Sequence, residues 1–228
     1  MAFIEGEMPH MGGYFSLTDD RGSPTRIVVV GQERGRGEPT VQLEERTAAV
    51  QLRRNPSLRN PHLRATTNAL SLMLGVGTDG PGGESILVDG TVRHVLDCFV
   101  LTNSTLCSAL VKHSTTGQPT TSGRPTPEMK QHCVEHLSAM LDIWEPTILL
   151  LQGDSAIATA RSALNADLVR GTAIDLQINS TNCRVCPVTH PNSHSSSKPD
   201  TLGWIHPTSH YFRETIIPML REVLNLPS

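Results

Sequence analysis

Cys183-Arg184-Val185-Cys186 has the Cys-x-x-Cys spacing that clips a metal ion or forms a redox pair, and Cys107 and Cys133 add two further thiols. His190 and His194 follow closely, so zinc is an option on residue types alone. Gly31-Gln32-Glu33-Arg34-Gly35-Arg36-Gly37 is a glycine-rich turn able to offer backbone amides to a phosphate. It lacks the GxGxxG and GxxxxGKS/T patterns, so nucleotide binding has no support. The Asn103 amide in Thr102-Asn103-Ser104 can read a planar polar edge, and it fits a turn cap equally well. Gln152-Gly153 is a fourth polar turn. His206-Pro207-Thr208-Ser209-His210 carries two imidazoles able to donate a hydrogen bond near neutral pH, and it also reads as a surface loop. Segment 21–65 holds nine arginines against four acids, a balance that suits phosphate contact or a solvated surface.

The elements that must position these residues alternate between strand and helix. Ile27 to Gly31 is a β-branched run ending in glycine, which predicts a buried strand and a turn. Leu63 to Leu74 is apolar at helical spacing and stops at Gly75. Val95 to Thr102 predicts a second buried strand. Thr126 caps a helix with Pro127 at its first position, and Met129, Cys133, Leu137 and Met140 fall on one face. Thr147 to Leu151 predicts a third strand, Ser155 to Leu164 a helix, and Ala173 to Ile178 a fourth strand. Arg213 to Leu226 predicts a closing amphipathic helix kinked at Pro218. Segments 76–91, 113–126 and 190–200 read as loops. The expected architecture is a three-layer α/β/α domain with a central, mainly parallel four-stranded sheet. All 228 residues are expected in that domain, with 1–26 as an N-terminal extension. In such sheets ligands bind outside the carboxyl ends of the strands, where all four polar turns fall.

Composition narrows the function. At 228 residues, 37% hydrophobic and 18% charged, the chain has the makings of a soluble globular domain. No apolar run approaches the about 20 residues of a spanning helix, and the first residues carry no signal-peptide pattern, so no membrane partner is expected. A net charge of −3 and 4% aromatics argue against a wholly basic nucleic-acid binder and a broad stacking platform. Five cysteines, an odd count, point to free thiols or a metal site in a reducing cytoplasm.

Taken in order, TNSTLC, GRPTPEMKQHCVEHL, PTILLLQGDSA, Arg170-Gly171 and His206-Pro207-Thr208 resemble the uracil-DNA glycosylase superfamily. The likeness is closest to its iron–sulfur-containing bacterial and archaeal families four and five. It runs from Ile27 to the C-terminus. The resemblance implies a monofunctional enzyme of base-excision repair, acting as a monomer on uracil-containing DNA in the cytoplasm, at the nucleoid. Such enzymes flip the nucleotide out of the stack and cleave its C1′–N bond. Asn103 would read the uracil edge and His206 would donate to O2 of the leaving uracil. Arg34, Arg36, Ser209, His210 and Arg213 would contact DNA, with Tyr211 or Phe212 as a wedge in the minor groove. A binding module without the chemistry, and a glycosylase for another deaminated base, are the alternatives.

Three departures from the family pattern matter. Gln32 stands where families four and five have Glu, and Glu33 is displaced by one residue, so either could position the water. His62 in Pro61-His62 replaces the family's stacking aromatic, which makes it a uracil-binding candidate able to stack. The family's N-terminal Cys-x-x-Cys is absent. Cys183 and Cys186, joined by Cys107 and Cys133, are the four thiolates that a relocated [4Fe–4S] cluster would need. No metal and zinc are the alternatives.

Overall fold

Ile27 to Val30 are wholly buried, and burial on both faces of a strand is what the middle of a parallel sheet requires. The computed structural model describes residues 8–18, 22–32, 43–76, 83–106, 110–112, 115–117, 119–121, 125–193 and 203–223. In chain order the elements are β1 (His10–Met11), β2 (Ser16–Thr18), β3 (Pro24–Gly31), α1 (Leu43–Leu52), α2 (Pro61–Met73), β4 (Ser85–Val88), β5 (Thr91–His94) and β6 (Phe99–Asn103). There follow β7 (Leu110–Lys112), β8 (Pro119–Thr121), α3 (Pro127–Trp144), β9 (Ile148–Gln152), α4 (Asp154–Leu164), β10 (Ile174–Ile178), β11 (Thr181–Val188) and α5 (Ile217–Val223). The sheet runs β1-β6-β3-β9-β11-β10, with β2 paired to the start of β3. Its inner four strands, β6, β3, β9 and β11, are parallel. β1 and β10 are antiparallel edges. β4 with β5 and β7 with β8 form separate hairpins.

The fold is three-layer α/β/α, as the alternation predicts, with three corrections. The fourth parallel strand is β11, not the Ala173 to Ile178 segment, which forms the antiparallel edge. The in–out alternation of Ile174 to Ile178 is that of a half-exposed edge strand. β11 hides its character behind Pro187. That proline is tolerated because β10 reaches only as far as Val185, so one side of β11 has no strand neighbour at Pro187. Segment 76–91, expected as loop, contains β4 and part of the β4–β5 hairpin. Within 1–26, expected as an extension, β1 pairs with β6 and β2 with β3, so both join the sheet.

Strand alternation sorts the core into two layers. Ile27, Val29, Phe99, Leu101, Ile148, Leu150, Cys186 and Val188 face α2, Trp204 and the C-terminal helical segment. Val28, Val30, Val100, Leu149, Leu151, Cys183 and Val185 face α3 and α4. α3 begins where expected: Met129 N donates to the Thr126 side chain at 3.3 Å, with Pro127 in the first turn. Met129, Cys133, Leu137 and Leu141 are its buried stripe, and Met140 is only half-buried. Pro218 does not simply kink the last helix. The preceding Phe212–Ile216 widens to a π-helical turn, in which Ile217 N donates five residues back to the Phe212 carbonyl. Pro218 has no N–H for an ordinary helical bond, and the wider turn accommodates that loss. Among the described residues no helix is long and apolar enough to cross a membrane.

Candidate functional site

After β3 the chain crosses to β6 on one side, and after β9 it crosses to β11 on the other. The carboxyl ends of β3 and β9 therefore flank a topological switch point, where open α/β sheets hold ligands. The register defines what lies there. Gly31 pairs with Asn103 and Gln152 with Val188, while Val30 opposite Leu151 sets Gly31 beside Gln152. Asn103, Gly31, Gln152 and Val188 thus form a row across four strands, on the face covered by α2.

Gly31 makes the gap in that row. A Cβ built on it would lie 3.1 Å from Asn103 Oδ1 and 3.3 Å from His62 Nε2. The amide and the imidazole therefore share the space above one glycine. His62 gets there through the start of α2. Asn60 caps the helix by accepting from Leu63 N at 2.8 Å, and Pro61 occupies the first turn. These two residues fix where the second helical residue points.

The His62 residue keeps some exposed surface, yet its imidazole is enclosed. Burial pushes its pKa down to about 3, with the neighbouring His190 and Arg46 acting the same way and a hydrogen bond to Gln152 acting against them. The His62 and His190 rings are 5.6 Å apart, inclined at 35°. His62 is a neutral imidazole at physiological pH. Gln152 is wholly buried and donates from Nε2 to Thr66 Oγ1 at 3.1 Å.

The next residue, Gly153, has φ +101°, a conformation that favours glycine. The side chain of Gln32 lies across it: a Cβ at Gly153 would come within 2.8 Å of Gln32 Cγ. Gln32 therefore closes the β3–β9 side of the site. On the β6 side, Ser104 N donates to the Gly31 carbonyl at 2.8 Å, holding the Asn103 turn against β3.

The His206 loop is suspended from two of the same elements. Asn68 of α2 donates to the Ile205 carbonyl at 3.4 Å, and Trp204 Nε1 donates to the Thr189 carbonyl at 2.8 Å. Thr189 directly precedes His190. His206 itself is exposed, and its carbonyl accepts from Ser209 N at 3.0 Å. His210 and Arg213 are exposed, while the half-buried Ser209 accepts from Phe212 N at 3.4 Å and starts the closing helical segment.

Tyr211 and Phe212 are not wedges. Tyr211 is buried with its hydroxyl accepting from Thr189 N at 3.4 Å, and burial raises its pKa. Phe212 is wholly buried and stacks on Trp204 with ring centroids 6.4 Å apart. The apolar stripe of the closing segment takes both rings into the core.

Cys183 and Cys186 are not set to hold one cluster together. Both lie in β11, and residues three apart in a strand point to opposite faces. Cys183 belongs to the core under α3 and α4, and Cys186 to the core under α2. The expected clip is thus split by the sheet itself. Burial pushes the Cys183 thiol up to about 12. Cys133 is buried on α3. Cys107, like Glu33, Arg34, Arg36 and His194, lies outside the described residues. Among the described residues no three His, Cys, Asp or Glu stand together as a metal-binding group.

Of the candidates, the structure brings Asn103 and His62 together over Gly31 and sets Gln32 over Gly153. Sequence reasoning noted Gln152 by its place at a strand end, without its role, and His190 only as a metal ligand. Thr66 was missed altogether; a threonine inside an amphipathic helix carries no signal of its own. No protein-family model matches this chain, and no curated protein matches it, so the functional reading stands on these side chains and their geometry.

Proposed function

We propose that the chain is a monofunctional uracil-DNA glycosylase that flips uracil out of DNA and hydrolyses its N-glycosidic bond. The observation that carries this reading is the convergence of the Asn103 amide and the neutral His62 imidazole above Gly31, at the switch point of the sheet. An amide reads uracil because it both donates to O4 and accepts from N3–H, a pairing that cytosine reverses. Gly31, having no side chain, lets the amide and the imidazole close together over the strand end where the base would be read.

In the reaction the C1′–N bond breaks with its electron pair leaving on the uracil ring, and the sugar becomes cationic at C1′. Water then adds its oxygen to C1′ and releases a proton, and the uracil anion finally takes up a proton. His206 donates to O2 as charge develops there. We assign the water to Gln32, whose side chain lies over Gly153. The three lysines are Lys112, Lys130 and Lys198. None belongs to the row of strand-end residues, which favours hydrolysis over a Schiff-base mechanism.

A second reading, uracil-DNA binding without excision, is favoured by one observation. The described polar side chains at and over the row, Asn103, Gln152 and His62, are amides and an imidazole, with no carboxylate among them. The test is uracil release by the full chain from single-stranded and U:G duplex oligonucleotides, beside Asn103→Asp and His206→Ala. Each variant is expected to lower kcat/KM at least about 100-fold, in line with the loss of one preorganised donor at developing charge. Asn103→Asp should also lose discrimination against cytosine. No release by the wild-type chain overturns the enzyme. Retained preference for uracil-containing over undamaged DNA in that case establishes the binding module.

A further inference from the structure

We propose that Trp204 and Tyr211 are positioning residues for His206: their polar tips clamp both ends of its loop to the backbone of Thr189, and so set the loop in place before DNA binds. The proposal rests on the base-excision reading for what His206 does, and on buried hydrogen bonds alone for the clamp.

β11 ends at Val188, whose carbonyl accepts from Gly153 N at 2.9 Å. Thr189 is the first residue past the strand, and it is only 2% exposed. A backbone N–H and C=O buried that deeply need partners. Both come from side chains that flank the His206 loop. Trp204 Nε1 donates to the Thr189 carbonyl at 2.8 Å, and Thr189 N donates to the Tyr211 hydroxyl at 3.4 Å. The stretch from Ile205 to His210 is therefore strung between two rings fixed to one residue.

The loop itself is a turn on the surface. His206, Thr208 and His210 are exposed, and Ser209 N donates to the His206 carbonyl at 3.0 Å. That bond shapes the turn, while its place is set by the scaffold at its ends. Trp204 and Tyr211 are buried, and Trp204 stacks on Phe212. Apolar burial is non-directional and would accept either ring at several tilts. The hydrogen bond at each polar tip selects one. Two further ties fix the entry to the loop. Trp204 N donates to the Pro191 carbonyl at 3.0 Å, and Asn68, on the same helix as His62, donates to the Ile205 carbonyl at 3.4 Å. Thr189 also precedes His190, whose ring lies 5.6 Å from that of His62. The His206 loop and the reading pair thus share one frame, β11 and α2. A donor to the leaving uracil is most effective when it needs no rearrangement as charge develops.

The experiment joins nitrogen-15 relaxation of the full chain without DNA to a double-mutant cycle on uracil release. Trp204→Phe and Tyr211→Phe each keep a ring and delete its polar tip. In the wild type the loop amides should have order parameters near those of β3 and β9. In either variant they should fall below about 0.6 while β3 and β9 stay rigid. Each variant should lower kcat between about 10- and 100-fold with KM little changed. In a His206→Ala background the same substitutions should cost nothing further, because the group they position is gone. Tyr211→Phe removes a single oxygen and decides the matter if Trp204→Phe does not fold. Loop order unchanged by the variants overturns the clamp. A loss of release that is as large in the His206→Ala background overturns the link to His206. If the wild type releases no uracil, the glycosylase reading fails, the order parameters still decide the clamp, and the same cycle on uracil-DNA affinity decides the link. A chain that neither releases uracil nor binds uracil DNA overturns the link with the reading.

Discussion

Above Gly31 the site has no spare room: a methyl group there would sit 3.1 Å from Asn103 Oδ1 and 3.3 Å from His62 Nε2. Both contacts are tighter than ordinary packing, so the neighbours must yield by a few tenths of an ångström. The backbone at Gly31 is extended strand and accepts alanine without strain. Gly31→Ala is therefore expected to cost only about 1 kcal/mol of stability. Its effect on recognition should be larger, because catalytic geometry tolerates little displacement: a loss of about 100-fold in kcat/KM for uracil release. Steady-state kinetics beside a urea unfolding curve checks the pair of outcomes. Equal kinetics with an unchanged midpoint would show that nothing is read above this glycine. The residue types were legible in the sequence here, since Asn103 and His62 stood out. Their meeting was not, because 40 residues of chain separate them and only the packing of α2 over the paired ends of β3 and β6 sets one beside the other.

The β4–β5 hairpin shows what one element takes from its anchor. Asp89 and Gly90 both have positive φ, at 49° and 73°, which gives the tight turn that suits two-residue hairpins. Asp-Gly between β-branched residues was a usable signal for it. At the hairpin base the nearly buried Arg59 guanidinium grips both Glu84 oxygens, at 2.5 and 2.6 Å, and donates to the Arg53 and Arg54 carbonyls. Arg59 holds the Glu84 carboxyl below its ordinary range, outweighing partial burial, and His94 adds a further contact at 3.2 Å. Because the folded pKa is depressed, this stabilisation is present above the unfolded value of about 4.3 and is lost as pH falls through the folded one. Glu84→Gln should lower stability by about 1–3 kcal/mol at pH 7. The difference from wild type should shrink in acid, when both chains carry a neutral group there. Urea midpoints across the acid range measure it.

Across the whole molecule, several histidines are held neutral by burial. The pKa of His62 is pushed down to about 3, and those of His10 and His94 are also lowered, in each case chiefly by burial. The unfolded chain binds protons at these positions near pH 6.5 and the folded chain does not. The unfolded state therefore holds more protons below that pH, and stability falls as pH drops from about 6.5 towards 3. His62→Asn should flatten this slope, because the substituted residue does not titrate. Chemical denaturation at successive pH values provides the check. A slope equal to that of the wild type would mean that the His62 ring reaches solvent.

Local chemistry by itself determined the β-branched strand at Ile27, the capped helix at Thr126-Pro127, the alternation that makes three layers, and the polar turns at strand ends. Each rests on interactions within a few residues: backbone preference, capping, and the periodicity of one segment. What only the tertiary structure decided depends on neighbours distant in the chain. β11 becomes a central strand because β9 pairs with it, although Pro187 and two cysteines obscure it in sequence. The same pairing sends Cys183 and Cys186 into separate cores, since a strand alternates its side chains however suggestive their spacing. Tyr211 turns inward, where its hydroxyl meets Thr189 N from 22 residues away. The wholly buried Gln152 amide finds its partner in Thr66, 86 residues away, and no local pattern in the chain encodes that arrangement.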